Sequence, residues 1–404
     1  MKRIKGICIV ACFTCLVSLG LVLAGCGSNK TSANGSQSKG PIVIGAAMAF
    51  TGYAATWDAP VYAAAELAVA DINAKGGVLG RQLKLVKADM KSDPAQGPLA
   101  ASQVLDAGAQ AVIVTTDFDA GSPAALVAQS RGVISFSGAI SPKFGPLGVG
   151  DLAYSFSDAS MTEGAVGAEF AISKGWKTVW VLTDQTSNAD TDYSKYFIEA
   201  YTKLGGKVLG HDVFKNDDAS IAAQIAHVQS LSPQPDCIQV SSYSPGGPAA
   251  LRQIRAAGVN LPMIGCEDWD GTYWMAAIPG VKDVYGTVPR SEFGDDPDQK
   301  VNEFFARLEK SMNKKILDSS LSIGGYSIIQ VYAKAVEMAG STDPKAVSQA
   351  LNTLTDFPAL SGPYTYTATQ HIPIGRPMTM ISFFNGTGHF AARITPTYTP
   401  TYTP

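Results

Sequence analysis

The chain has 404 residues, 46% of them hydrophobic and 16% charged, with a formal charge of −3. That is enough apolar material for two hydrophobic cores and too little charge for a disordered or nucleic-acid-binding chain. Two globular lobes are the expectation.

At the N-terminus Lys2, Arg3 and Lys5 precede an uncharged run from Ile7 to Gly25, the basic start and apolar middle of an export signal. The run is also long enough to span a bilayer. It ends in Leu23-Ala24-Gly25-Cys26, which is similar to the lipoprotein processing motif, and no stop-transfer cluster follows. The reading is a signal peptide over 1–25, lipid attachment at Cys26 and a small, polar tether over 26–40. Loss of Lys2, Arg3 and Lys5 takes the formal charge from −3 to −6, so nucleic acid and acidic lipid are poor partners. Cys8, Cys12 and Cys15 leave with the signal, and the redox-like Cys12-Phe-Thr-Cys15 spacing leaves with them. Cys237 and Cys266 fall at opposite ends of their strands and are expected to be free, buried thiols.

From Pro41 short β-rich runs alternate with helical ones. Strands are predicted at Ile42 to Ala46, Leu83 to Ala88, Ala111 to Thr115 and Val133 to Phe136, and helices at Val61 to Ala74, Ala95 to Asp106 and Ala124 to Arg131. After Tyr154-Ser155-Phe156 a second series begins, with strands at Thr178 to Leu182, Lys207 to Phe214, Asp236 to Val240 and Pro262 to Gly265. Its helices are Glu163 to Lys174, Tyr193 to Leu204, Ile221 to Ser230 and Ala249 to Ala257. Such alternation makes a parallel sheet covered by helices, once per series. Helical runs at Asp298 to Met312 and Gly325 to Ala339 and a strand at Met378 to Phe384 follow, and TPTYTPTYTP ends the chain as a disordered tail over 395–404.

No local motif supplies catalysis. His211, His227, His371 and His389 are far apart, and no nucleophile elbow, P-loop or HExxH occurs. Gly145-Pro-Leu-Gly148-Val-Gly150 follows a loop and reads as a turn. Asn385-Gly-Thr387 matches a glycosylation sequon by chance, and the acids at Asp295, Asp296 and Asp298 read as a helix cap. Neither a metal nor a cofactor is expected.

Ala65 to Asp89, AELAVADINAKGGVLGRQLKLVKAD, joins an alanine-rich helix to a strand through Gly76-Gly77, and Leu251-Arg-Gln-Ile-Arg-Ala-Ala-Gly258 forms a second distinctive run. Both resemble the Leu/Ile/Val-binding family of bacterial solute-binding proteins, and the likeness extends from Pro41 to near Arg393. The resemblance implies a type I periplasmic binding protein clamshell: two Rossmann-like α/β lobes with parallel central sheets, joined by three crossovers near Asp158, Ser291 and Leu360. Lobe 1 would take 41–157 and 292–359, and lobe 2 would take 158–291 and 360–394.

Carried over residue by residue, the resemblance makes Trp57 an aromatic lid, gives the ligand carboxylate to the Ala139 backbone and the Ser141 hydroxyl, and assigns pocket roles to Tyr243 and Glu267. Glu267 would take an ammonium, with Asp268 next in register. The rival roles are a core tryptophan, a turn serine, and a loop acid or partner for Arg252 or Arg290. Three positions depart from the pattern. Phe118 stands where the family has a carboxylate-binding serine, Ser160 where it has an aspartate for the ammonium, and Asn188 near an expected aromatic. The function implied is a lipid-anchored extracytoplasmic protein, monomeric and not an enzyme. It would deliver a branched-chain or related amino acid or amide to the permease of an ABC importer. An aromatic acid, a sensory output and an exported α/β hydrolase remain the alternatives.

Overall fold

A computed structural model of the protein describes residues 40–278, 280–313 and 320–402. The expected leader, Cys26 and all of the tether except Gly40 lie outside the described residues. Among those described, no helix is long and apolar enough to cross a membrane.

The first series folds as β1 (Ile42–Met48), α1 (Ala55–Ala74), β2 (Leu83–Asp89), α2 (Gly97–Asp106), β3 (Ala111–Val114), α3 (Phe118–Ser130), β4 (Ile134–Ser137) and β5 (Ala153–Ser155). The second gives α4 (Ser160–Ser173), β6 (Thr178–Asp184), α5 (Asn188–Lys203), β7 (Lys207–Phe214), α6 (Ala222–Ser230), β8 (Cys237–Ser241), α7 (Gly246–Ala256), β9 (Met263–Gly265) and β10 (Val284–Val288). The chain then adds α8 (Gln299–Met312), α9 (Ser322–Ala339), α10 (Pro344–Leu351), β11 (Phe357–Ala359) and β12 (Gly362–Tyr364). It closes with β13 (Met378–Phe384) and β14 (Thr387–Ile394).

The first sheet runs β2-β1-β3-β4-β5, parallel throughout, and the second runs β14-β13-β10-β9-β8-β6-β7. The second is not wholly parallel, because β13 lies antiparallel to β10 and to β14. Its edge is a hairpin turned at Asn385-Gly386, both with positive φ, the Asn-Gly dipeptide of a two-residue turn. The sequon match is therefore a turn.

In the first lobe Val61 and Ala65 of α1 pack with Ile328 and Tyr332 of α9 on one face of the sheet. Alanines of α2 and α3 cover the other. Small residues let α1 and α9 approach closely: a Cβ on Gly325 would lie 2.1 Å from the Val61 carbonyl oxygen. Gly325→Ala should therefore cost roughly 1–3 kcal/mol of overpacking, read as a lower urea midpoint.

The chain leaves the first sheet after β5, returns between β10 and α8, and crosses a last time between β12 and β13. This third passage comes later than the expected Leu360. Tyr364 and Tyr366 are buried in the first core, where their hydroxyls donate to the Phe156 and Ser155 carbonyls at 2.8 and 2.6 Å. His371 then accepts the Ser155 N–H on its own carbonyl. Where the first and third passages meet, Arg376 Nε lies 2.6 Å from Asp158 Oδ1, Nη2 lies 3.0 Å from Oδ2, and both side chains are buried. Tyr364 stacks beneath the guanidinium.

The carboxy-terminal segment, expected to be disordered, is laid on the second lobe. The Thr397 N–H donates to Glu169, and Tyr398 Oη donates to Glu199 at 2.7 Å. Asp298 caps α8 by accepting the Lys300 N–H, and Cys237 and Cys266 are free and buried.

Candidate functional site

Carboxyl ends of parallel strands converge where ligands bind in open α/β sheets, and here two sets of strand ends enclose a cavity of about 570 Å³. The first lobe supplies Tyr53 and Trp57 after β1, Thr116 to Ala120 after β3, and Gly138, Ile140 and Ser141 after β4. The second supplies Glu163, the start of α5, Tyr243, and the turn of Glu267 to Asp270 after β9.

Trp57, Phe118, Ser141, Asn188, Tyr243, Glu267 and Asp268 all line this cavity. Trp57 sits in the first turn of α1 and not in a loop, because the helix begins upstream of Val61, at Ala55. Tyr53, which the sequence reading passed over, meets Trp57 edge to face with centroids 5.9 Å apart. Phe118 opens α3, and Asn188 opens α5 with its amide 3.2 Å from Asp119 Oδ2 across the cleft.

Ala139 and Ser160 do not line the cavity. The Ala139 N–H is taken by Ser137 Oγ at 3.1 Å and its carbonyl by Ser155 Oγ at 2.6 Å. Ser160 is fully buried at the start of α4. One helical turn later, Glu163 reaches the cavity and accepts the Glu267 N–H on Oε1. A carboxyl group therefore faces the cavity from this helix even though Ser160 stands in place of the expected aspartate. Glu163 stood three residues on, at the spacing that shares a helix face.

The lining is acidic throughout. Asp117, Asp119, Glu163, Asp192, Glu267, Asp268 and Asp270 all face it, and among the described residues no lysine, arginine or histidine does. Burial pushes the Glu163 carboxyl well above its ordinary range, with Asp268 adding to the effect, and Glu267 is raised by burial and by Glu163. Burial also lifts Asp268 and Asp270 to about 6. Cys266 Sγ sits 3.6 Å from Asp190 Oδ1 and from Asp268 Oδ2, and burial followed by these acids drives its thiol upward.

The histidines lie elsewhere. His211 contacts Thr183, His227 pairs with Asp212, His371 stacks on Tyr154 and His389 stacks on Phe384. None can serve a nucleophile in the cleft.

The sequence profile of the periplasmic binding protein family matches residues 41–387. The chain belongs to the periplasmic binding protein family. It is 26% identical over 337 residues to the Leu/Ile/Val-binding protein BraC3 of Rhizobium johnstonii, covering 81% of this chain and 88% of the relative. It is 28% identical over 319 residues to the leucine-, isoleucine-, valine-, threonine- and alanine-binding protein of Pseudomonas aeruginosa, covering 77% and 82%. In fold it is similar to the branched-chain amino acid transporter substrate-binding protein LivJ of Streptococcus pneumoniae, solved with isoleucine, at a TM-score of 0.75 and 21% identity. That match covers 88% of this chain and all of the other. As a periplasmic binding protein, the chain is a two-lobed solute-binding scaffold.

Proposed function

We propose that this periplasmic binding protein is the extracytoplasmic receptor of an ABC importer, closing its two lobes over a small nitrogen-bearing organic solute and presenting it to the permease. The observation that carries this reading is the division of the cavity: aromatic groups Tyr53, Trp57 and Phe118 on one lobe face Glu163, Glu267 and Asp268 on the other. A solute that touches both halves binds the closed form more tightly than the open one, and that difference alone shifts the population. The amino-acid-binding relatives support the solute class. The protein acts by binding and not by catalysis, works as a monomer, and is held at the outer face of the membrane by lipid on Cys26, which follows the small-residue Leu23-Ala24-Gly25 ending. The lobes would be 41–157 with 292–359 and 158–291 with 360–394, the last boundary moved toward Arg376 by the Tyr364 and Tyr366 anchors.

Solution scattering tests the closure: the radius of gyration should fall when a ligand that demonstrably binds is added, and an unchanged value would sink the mechanism. Trp57→Ala should weaken every ligand by at least about tenfold, near 1.4 kcal/mol, in isothermal titration. Labelled palmitate should enter the native chain in cells and not the Cys26→Ser variant.

A further inference from the structure

We infer that the cleft is built for an organic amine without a carboxylate, its ammonium held between Glu163 and Glu267 and its carbon body against Trp57 and Phe118. This narrows the solute class and rests on the solute-binding reading above. It departs from the expectation of an amino acid, and the departure begins with the backbone donors.

A bound carboxylate is held by free N–H or O–H donors or by a cation. Several first-lobe N–H groups near the strand ends are already committed. Asp58, fully buried in α1, accepts the Ala49 N–H at 2.7 Å and the Thr116 N–H at 3.1 Å. It also accepts the Thr116 hydroxyl at 3.0 Å. The N-terminus of α3 would otherwise attract an anion, yet Asp117 accepts its Ala120 N–H at 2.7 Å. Ala54 donates to Ser92 Oγ at 3.0 Å, and Ala139 to Ser137. What this wall presents instead is the charge of Asp117 and Asp119, which repels a carboxylate.

The opposite wall lacks a cation. Glu163 is fully buried, lines the cavity, and has an Oε2 with no hydrogen-bond partner. Both carboxyl oxygens of Glu267 are likewise out of contact with water and without a partner. Acceptors left this way are costly, and an ammonium carries three donors with no acceptor of its own. The aromatic side suits the rest of such a molecule, since ring faces attract a cation as well as cover hydrocarbon.

Matched ligands on one carbon skeleton separate the possibilities. On the full mature chain at pH 7.5, isothermal titration compares leucine with 3-methylbutylamine and 4-methylpentanoate, and phenylalanine with 2-phenylethylamine and 3-phenylpropanoate. The amine should bind at least about tenfold more tightly than the amino acid of its series, with the acid weakest. Glu163→Gln, and separately Glu267→Gln, should weaken the amine by about 10- to 100-fold, the size of one charge-assisted hydrogen bond, in protein shown by circular dichroism to be folded. Binding enthalpies in buffers of different ionisation heat should report proton release, which a merely structural acid would not produce. An amino acid that equals or beats its amine overturns the inference, as does failure of every amine. Zinc alone is the remaining probe, because Asp190, Cys266 and Asp268 bring ligand atoms within 4.8 Å of one another. Zinc binding with no amine binding assigns the acids to a metal and overturns the inference. Leucine binding with compaction would leave the clamshell reading intact, whereas amine binding without compaction would preserve this inference and remove the closure.

Discussion

Asp158→Ala should lower the unfolding free energy by about 3–5 kcal/mol, the cost of leaving a buried charge without its partner. Arg376 is 5% exposed and Asp158 1%. Their two contacts of 2.6 and 3.0 Å form a bidentate pair, and Arg376 Nη2 also donates to the Phe156 carbonyl. Without Asp158 the guanidinium keeps its charge, because this group does not deprotonate at accessible pH. It would have to draw in water or swing out of its stack on Tyr364. Arg376→Ala should be equally harmful, whereas Asp158→Leu with Arg376→Met removes both charges and should recover most of the loss. Urea midpoints for the single and double variants provide the cycle. A single-mutant loss below about 1 kcal/mol would mean that the pair behaves like a surface ion pair. Position adds to the interest: Asp158 lies in the first passage between the sheets and Arg376 in the third. The pair therefore binds together two of the segments that pass between the sheets.

The alternation of elements and the two quoted runs made the scaffold legible, because a parallel strand buried on both faces is a short apolar run that needs no partner to be recognised. The family pattern carried over to the strand ends also pointed to seven residues that line the cavity, Trp57, Phe118, Ser141, Asn188, Tyr243, Glu267 and Asp268. The rest was hidden in tertiary hydrogen bonds. Asp58 is an ordinary early-helix acid in the sequence, and only the folded chain shows it holding N–H groups nine and fifty-eight residues away. Asp117 resembles any N-cap, so its effect on a ligand carboxylate depends on where α3 points. Glu163 is visible in the sequence only as the start of a helix, and nothing local marks it as facing the cavity. Tyr364 and Tyr366 moved the last crossing because their hydroxyls find carbonyls more than two hundred residues away. Asn385-Gly386 had a local signal for a hairpin, and the sequon overlapping it drew the reading elsewhere.

The acid-lined cleft carries a thermodynamic signature, and thermal melts should show the protein more stable at pH 5 than at pH 7.5. Burial raises Asp58, Asp268 and Asp270 to about 6 and drives Glu163, Glu267 and Asp190 well above the carboxyl range. In the unfolded chain such groups lose their protons near pH 4. The folded protein therefore holds more protons between pH 4 and the raised values, and stability falls as pH climbs through that window. Each raised carboxyl contributes up to about 1.4 kcal/mol per pH unit to the slope. Asp71, Asp89 and Asp236 are shifted the other way, lowered by their hydrogen bonds despite the opposing effect of burial. Their stabilisation is lost only as pH falls through those lowered values, so it does not cancel the effect above pH 5. Glu163→Gln should flatten the slope and raise the melting temperature at pH 7.5. A melting temperature that is level or rises between pH 5 and pH 7.5 would show that the cleft acids are not held protonated. An ammonium placed among them supplies the charge that deprotonation leaves unopposed. A cationic ligand should consequently stabilise the protein more at pH 7.5 than at pH 5, while the same cleft without one is strained by the groups that make it selective.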